Sequence, residues 1–587
     1  MTIQLTQQSI RTDWGPGPVG DAVRTSFDNR VMHFIQDEES EAIQLFTEEM
    51  RAHSNSGDWY GEHAGKWLVT AGYAWRRTRS EELASRIASV TKYLQDHQEA
   101  DGYLGTYSTD YEGRLTNNQA STVRTWDPWI HAWLILGLLE VAEVPGVNGV
   151  VETATRIGDL ILTSFQEYCS LVDIGNHKGL SSAVIIQPLA ELTLKTGNPA
   201  YATFASQLIQ DMEERELPIL SGPGKGTDIS EVGTGKAYQL CWILVGLAAL
   251  YRATENQELL EATQYWWSNI AEHHLTPMGG PWGGIANHKE VFNTPDFFSP
   301  NGLTETCSTA SWMTLSRQLF LITGEAKYAK AFETSLNNAL LGAMDANGQD
   351  WCYFTFPNGR RNNTYHWACC KSSGAMALEE AQSMAVTRSK AGISINLWHS
   401  FNSEFDVDGK SIKCRQVIGI DGQESEITLE TECEQEFEIS IRIPNNSTLQ
   451  TLHINGGPAQ LATRRTWKDG DRIQVKVAFE IKVHPKTYTL DHHGQEIVRT
   501  DYACLTWGPY VYATGLIDGY KKEETLRLAR LTPESVFSIG KSWTESGFPI
   551  IELVQPSRPP IPFLPYFEAG GRHDGAWRST WMQVAWQ

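Results

Sequence analysis

The chain has 587 residues, too many for one simple core, so two or three domains are expected. Hydrophobic residues make up 41% and no long stretch is low-complexity, which excludes a disordered chain. A formal net charge of -22 repels nucleic acid and anionic membrane surfaces. It suits an enzyme of neutral or cationic small molecules, although acidity also serves plain solubility.

The first residues, Met1 to Trp14, are polar and lack the apolar core of a signal peptide. No apolar run reaches the length of a transmembrane helix. The nine Cys have no disulfide-framework spacing. A reducing, cytoplasmic compartment is therefore expected.

From about residue 35 to about residue 385 apolar residues recur at helical spacing, as around Trp133 to Leu139. A degenerate repeat runs through this half: Leu192 to Asn198, Leu250 to Asn256 and Leu319 to Glu325, with weaker copies near Trp75 to Thr78 and Val144 to Gly146. Each copy ends one helix with a Gly or Asn stop signal and precedes another. Five such hairpins predict helix pairs closing into an (α/α)6 toroid, with its loops gathered on one face. An open solenoid is the competing arrangement.

After about residue 390 the period changes to two, in Ser394 to Trp398, Glu426 to Leu429, Phe437 to Ile443 and Arg472 to Val477. Turn clusters such as Asn455-Gly456-Gly457 and Lys468 to Asp471 separate these runs, so an antiparallel β-sandwich is predicted. The expected class is α+β multidomain: a toroid catalytic domain over 1–388, then sandwich over 389–587, its tail able to pack back on the barrel.

Three loops carry candidate chemistry. The adjacent Cys369-Cys370 read as metal thiolates, as a vicinal disulfide or as two small buried residues. Glu305-Thr306-Cys307 offers a carboxylate and a further thiolate, which with the first pair makes a four-ligand set. The Gly-rich loop Gly279 to Glu290 lacks the ending of a phosphate loop. It closes on Glu290 beside Val291-Phe292, where a carboxyl can stay protonated as a general acid or be a plain solvated Glu. The 21 Trp, several in short polar runs such as Trp59-Tyr60-Gly61-Glu62 and Pro281-Trp282-Gly283-Gly284, suit stacking on sugar rings or core filling.

Together, Lys289-Glu290-Val291-Phe292, Glu305-Thr306-Cys307 and Cys369-Cys370 resemble the signature of glycoside hydrolase family 127, the β-L-arabinofuranosidases and their relatives. The likeness extends to Gln98 to Tyr107 and to sandwich elements at Arg442, Asn455, Trp467 and Gly508 to Tyr512. The resemblance implies an (α/α)6 barrel with β-sandwich and a Zn2+ held by Glu305, Cys307, Cys369 and Cys370. It implies Cys369 as nucleophile, Glu290 as general acid/base, and Tyr353 beside the reacting sugar. The family's arabinofuranosidases have histidines on barrel helices that meet the sugar, whereas Ser182 and Lys236 stand at two of those positions here. Further expected substrate contacts are His131, His177, Lys236 and Glu62; His131 also reads as a structural core histidine, Glu62 as an ordinary helix-start Glu.

The implied function is a retaining exo-glycosidase releasing a terminal β-L-arabinofuranose or related sugar from a small glycoside or oligosaccharide. No nucleic-acid or membrane partner is expected, and a homodimer is allowed. A polysaccharide lyase or sugar epimerase on the same toroid, and a non-catalytic sugar-binding protein with structural zinc, are the alternatives.

Overall fold

The computed structural model describes residues 10–51, 59–117, 123–167, 170–284, 290–407, 409–492, 495–515, 526–555 and 559–587. Twelve helices of nine residues or more lie among them. In chain order they are α1 (Pro18–Ser26), α2 (Glu62–Thr78), α3 (Glu81–Asp96), α4 (Asp127–Glu140), α5 (Val150–Glu167) and α6 (Ile186–Thr196). There follow α7 (Pro199–Glu214), α8 (Ala237–Thr254), α9 (Gln257–His273), α10 (Thr306–Thr323), α11 (Ala326–Thr334) and α12 (Cys369–Glu380).

The even-numbered helices form a closed inner ring: α2 packs on α4, α4 on α6, α6 on α8, α8 on α10, α10 on α12, and α12 on α2. Each odd-numbered helix lies outside against an inner one. Burial explains the division. α8 and α10 are buried along almost their whole length, and most of their residues are apolar or small. The outer α3 buries only a stripe, Leu83, Ala84, Ile87, Val90, Thr91 and Leu94, at helical spacing.

The sequence repeat is the corner between an inner helix and its outer partner. α6 and α10 end on Gly197 and Gly324 at φ 74° and 71°, conformations that cost glycine nothing. Before each corner stands a threonine with two tasks. Thr196 Oγ1 donates to Leu192 O at 2.7 Å and accepts from Asn198 N at 3.2 Å. Thr78, Thr254 and Thr323 do the same in their copies. Asn198 and Asn256 then cap the outer helices through Ala200 N and Glu258 N, both at 3.1 Å. Five hairpins were legible as repeats. The sixth pair is not a hairpin: α12 is matched by α1, from the opposite end of the chain, which closes the ring.

Beyond Ala385 the chain is built of strands. A seven-stranded sheet and a four-stranded sheet, antiparallel apart from Gly392–Ile395 beside Gln435–Ile441, share one apolar core with the toroid. Arg11–Trp14 forms the edge of the larger sheet, against Phe401–Val407. A third sheet of ten strands includes Trp577–Ser579, which pairs with Asn358–Arg360 between α11 and α12. Arg442 crosses from sandwich to toroid, its Nη2 2.5 Å from Glu333 Oε1 on α11. No helix among the described residues is long and apolar enough to cross a membrane.

Two outcomes test this account. Asn256→Ala removes a cap and should lower stability by about 1 kcal/mol, read as a lower urea midpoint; an unchanged midpoint refutes the cap. His399 sits at the junction, its Nε2 2.8 Å from Asn337 Oδ1. Burial, then the Arg442 charge, push its pKa from 6.5 down to about 3. It stays neutral in the fold, while the unfolded chain takes up a proton below 6.5. Stability present above that pH is therefore lost as pH falls toward the folded value. His399→Gln should lose less stability than wild type between about pH 7 and about pH 4; equal losses in thermal melts would exclude the histidine.

Candidate active site

α10 and α12 begin beside one another. Glu305 is the last extended residue before α10, and Cys307 is the second residue of that helix. Cys369 and Cys370 open α12. Neither helix has a side-chain cap, so the free N–H groups and positive dipole ends favour anions there. Thiols at such positions ionise readily. A short strand pair, Thr304–Glu305 with Phe354–Thr355, fastens the Tyr353 segment alongside. Thr306 N–H donates to Tyr353 O at 3.0 Å, and Thr306 Oγ1 to Cys352 O at 2.7 Å.

Cys307 Sγ lies 3.4 Å from Cys369 Sγ and 3.3 Å from Cys370 Sγ. All three are free thiols, so the vicinal disulfide is absent. One donor atom from each of Glu305, Cys307, Cys369 and Cys370 falls within 4.8 Å of the others, a group able to hold a metal ion. Burial, with Cys369 adding to it, lifts the Glu305 carboxyl to about 7 against the Lys236 charge and the Ser308 hydroxyl 2.5 Å away. Burial also pushes the Cys307 and Cys370 thiols up. Cys369 goes the other way, held well below the ordinary thiol range. Hydrogen bonds from Cys307 and Cys370 act first; the Lys66 charge and the Tyr353 hydroxyl add to them. Of the three sulfurs, Cys369 is the one whose surroundings favour the negative charge, and it alone is half-buried rather than buried.

Glu290 is tied into this cluster. The Tyr353 hydroxyl donates to its Oε1 and lies 3.7 Å from Cys369 Sγ. Lys236 Nζ pairs with Glu290 Oε2. The two segments are also joined through the main chain, by Ala237 N to Glu290 O at 3.0 Å and Phe292 N to Gly235 O at 2.8 Å. Residues 285–289 of the Gly-rich loop, including Lys289, lie outside the described residues.

Glu62 opens α2 beneath the cluster and is buried. Its Oε2 accepts from Trp129 Nε1 and lies 3.1 Å from Lys66 Nζ. Its Oε1 is buried with no hydrogen-bond partner among the described residues. Burial raises its carboxyl to about 7 despite Lys66, with Cys369 adding to the rise.

The two histidines are placed differently. His131 is buried, with Nδ1 2.7 Å from Asp127 O and Nε2 accepting from Leu104 N at 3.4 Å. Both ring nitrogens are spent on main chain, which fits the structural alternative, because its helix turns the ring into the loop after α3. His177 stands half-buried in a loop at φ 57°, edge-on to Trp126 at 6.0 Å. Trp126 begins an aromatic row through Trp59 and Tyr60 to Trp367, which stacks on Tyr60 at 4.9 Å two residues before Cys369. Trp282, by contrast, is core: it packs with Phe298 and is only 4% exposed.

Sequence reading gave no role to Lys66, Tyr238 or Ser373, which meet under Cys307. The available signal was Lys66 four residues after Glu62, a spacing that pairs charges on one helix face.

The toroid thus gathers a carboxylate and three thiols at the N-termini of its inner helices. The profile described as β-L-arabinofuranosidase, GH127 catalytic domain, matches residues 22–383, and the chain belongs to that family. It is a glycoside hydrolase with a carbohydrate substrate, which sets aside the lyase, epimerase and non-catalytic alternatives. It is 22% identical over 507 residues to the non-reducing end β-L-arabinofuranosidase of Bifidobacterium longum subsp. longum, covering 77% of this chain and 75% of that protein. The fold is similar to a GH127 β-L-arabinofuranosidase from Geobacillus stearothermophilus T6, at TM-score 0.74 and 18% identity, covering 98% of this chain and 100% of that one. A GH127 β-arabinofuranosidase gives TM-score 0.75 at 17% identity, covering 100% and 98%.

In the reduced protein stripped with a chelator, iodoacetamide should label Cys369 before Cys307 or Cys370, as read by peptide mass. Earlier labelling of either buried cysteine would contradict the assignment of charge to Cys369.

Proposed function

We propose that the protein is a retaining exo-glycosidase that releases a terminal β-L-arabinofuranose or closely related sugar. In this reading Cys369 is the nucleophile, Glu290 the acid/base, and Glu305, Cys307, Cys369 and Cys370 hold Zn2+. Residues 1–388 carry the reaction and 389–587 support it. The observation that carries the reading is the single hydroxyl of Tyr353, which bridges Glu290 and Cys369 at the edge of a three-thiol, one-carboxylate cluster.

The donor set fits the metal: three soft sulfurs and one carboxylate are a usual tetrahedral zinc set. Bound zinc would keep the three sulfurs as thiolates and make the Cys369 sulfur easier to displace. The protein's own groups do the rest. Cys369 Sγ attacks the anomeric carbon and forms a C–S bond as the glycosidic C–O bond breaks. Glu290 passes its proton to the departing oxygen. The Glu290 carboxylate then takes a proton from water, whose oxygen displaces the sulfur. Two displacements return the original anomeric configuration. Lys236, paired to Glu290, favours the carboxylate form that the second step needs. Tyr353 has one hydrogen for two acceptors. It goes to Glu290 while that group is a carboxylate and to Cys369 once Glu290 is protonated. Glu62 Oε1, buried and unpartnered, suits a sugar hydroxyl, and His177 with its aromatic row suits the leaving side.

Nitrophenyl furanosides and pyranosides of both hands test this. Wild type should turn over a β-L-furanoside with retained configuration. Cys369→Ala should lose about 10⁴-fold or more. Glu290→Gln should lose about 10²- to 10⁴-fold on alkyl aglycones and less on nitrophenol, which leaves without a proton. Equal turnover by wild type and Cys369→Ala would remove Cys369 as nucleophile.

A further inference from the structure

Lys66 has no solvent exposure at all. Fully buried lysines are rare, because an ammonium gives up its hydration and needs partners in exchange. Its Nζ lies 3.1 Å from Glu62 Oε2, one helical turn back, and 3.2 Å from Ser373 Oγ on α12. The rings of Trp133, Tyr238 and Trp129 surround it at 4.9, 5.2 and 5.7 Å. A lone buried ion pair is seldom better than an apolar replacement, so Glu62 by itself gives no reason to keep a charge here.

The reason lies on the other side of Ser373. Three groups surround its hydroxyl: Lys66 Nζ at 3.2 Å, Tyr238 Oη at 3.3 Å and Cys307 Sγ at 3.3 Å. A serine hydroxyl has one hydrogen and two acceptor positions, and an ammonium can only donate. Lys66 can only donate into its oxygen, and the Tyr238 hydroxyl can donate there too; the Cys307 thiol donates to the same oxygen in the metal-free protein, but a metal-bound thiolate has no hydrogen, and the serine hydrogen is then free to turn to the sulfur. Cys307 is fully buried, whereas Cys369 stands at the open edge.

We infer that Lys66 and Ser373 form an outer-shell relay of the metal centre, fixing a charge-assisted hydrogen bond on the deepest thiolate, Cys307. Lys66 is thus a positioning residue and the counter-charge that lets three thiolates and a carboxylate be buried together. It is held charged: burial opposes the ammonium, but Glu62 first, then Tyr238, Cys307 and Cys369, outweigh it and keep its pKa well above the lysine range. The relay acts on a ligand that stays put through the reaction and leaves the reacting sulfur to Tyr353.

This inference rests on the reading of Glu305, Cys307, Cys369 and Cys370 as a zinc site. The test is competition for zinc between a chromophoric chelator of known affinity and wild type, Lys66→Met, Ser373→Ala and Tyr73→Phe. Tyr73 is on α2 with Lys66, and Tyr73→Phe removes a buried hydrogen bond that Arg317 of α10 donates to it, which controls for loosening. Lys66→Met and Ser373→Ala should bind zinc about 10- to 100-fold more weakly, with Tyr73→Phe like wild type. Ser373→Ala also takes a partner from the buried Lys66 and Tyr238 groups and should melt below wild type without metal, so the competition is read well below both melting points, where each variant is folded, which separates the relay from a general loss of packing. Should Lys66→Met not fold, Ser373→Ala decides alone. Wild-type affinity in Ser373→Ala overturns the relay and leaves the zinc site standing. A wild-type protein that takes up no zinc overturns both.

Discussion

Five inner helices of the toroid point their N-terminal turns at one small anionic region. Glu62, Trp129, Tyr238, Cys307 and Cys369 lie in the first turns of α2, α4, α8, α10 and α12, and their side chains meet or share partners. Three thiols and several carboxyls in a protein interior are a costly arrangement in water-free surroundings. Converging helix N-termini reduce that cost with fixed positive ends that need no side chain. The closed ring serves the same constraint: unless α12 returns to α2, Lys66 does not reach Ser373.

The strand-rich part of the chain holds the two loops that the ring leaves loose. Asn358 receives Thr580 N and Trp581 N at 2.8 Å each and donates to Trp581 O at 2.8 Å. Arg578, buried in the third sheet, reaches Gly342 O at 3.0 Å, the same carbonyl that Arg361 holds at 2.6 Å. These contacts flank the segment of Tyr353. On the other side, Trp282 and Phe298, which flank Glu290 along the chain, pack with Tyr502 and Trp581. The sheets therefore hold the chain beside the Tyr353 segment and on either side of the proposed acid/base.

Much of this could be read from residues alone. The toroid was visible because its corners repeat a local chemistry: an apolar helix end, a threonine, and a left-handed stop. The sixth pair was invisible because α1 and α12 lie at opposite ends of the helical region and share no corner. The cysteine–carboxylate cluster was visible because Glu305, Cys307, Cys369 and Cys370 are reactive residue types set close to helix starts. Its supports were hidden. A lysine within an amphipathic helix reads as a solvated residue, and a serine in Lys371-Ser372-Ser373 as an ordinary polar one. Only the ring geometry turns Lys66 inward. His131 reads from sequence either as a substrate contact or as a core histidine, and the main chain at Asp127 and in the loop after α3, which occupies both its nitrogens, favours the second.

The two lysines divide the electrostatic work between two depths of the site. Lys236 pairs with Glu290, the proposed acid/base, and a cation there favours the carboxylate form. Lys66 is sealed among three aromatic rings and faces Glu62 and, through Ser373, Cys307, neither of which is proposed to bond to the sugar's anomeric carbon. A single cation midway between them would hold the deep thiolate less firmly and leave Glu290 without its partner. Separation lets the proton chemistry at the rim change while the charge at the floor stays constant. That arrangement suits a reaction in which one sulfur of a three-sulfur cluster forms and breaks a bond while the other two remain fixed.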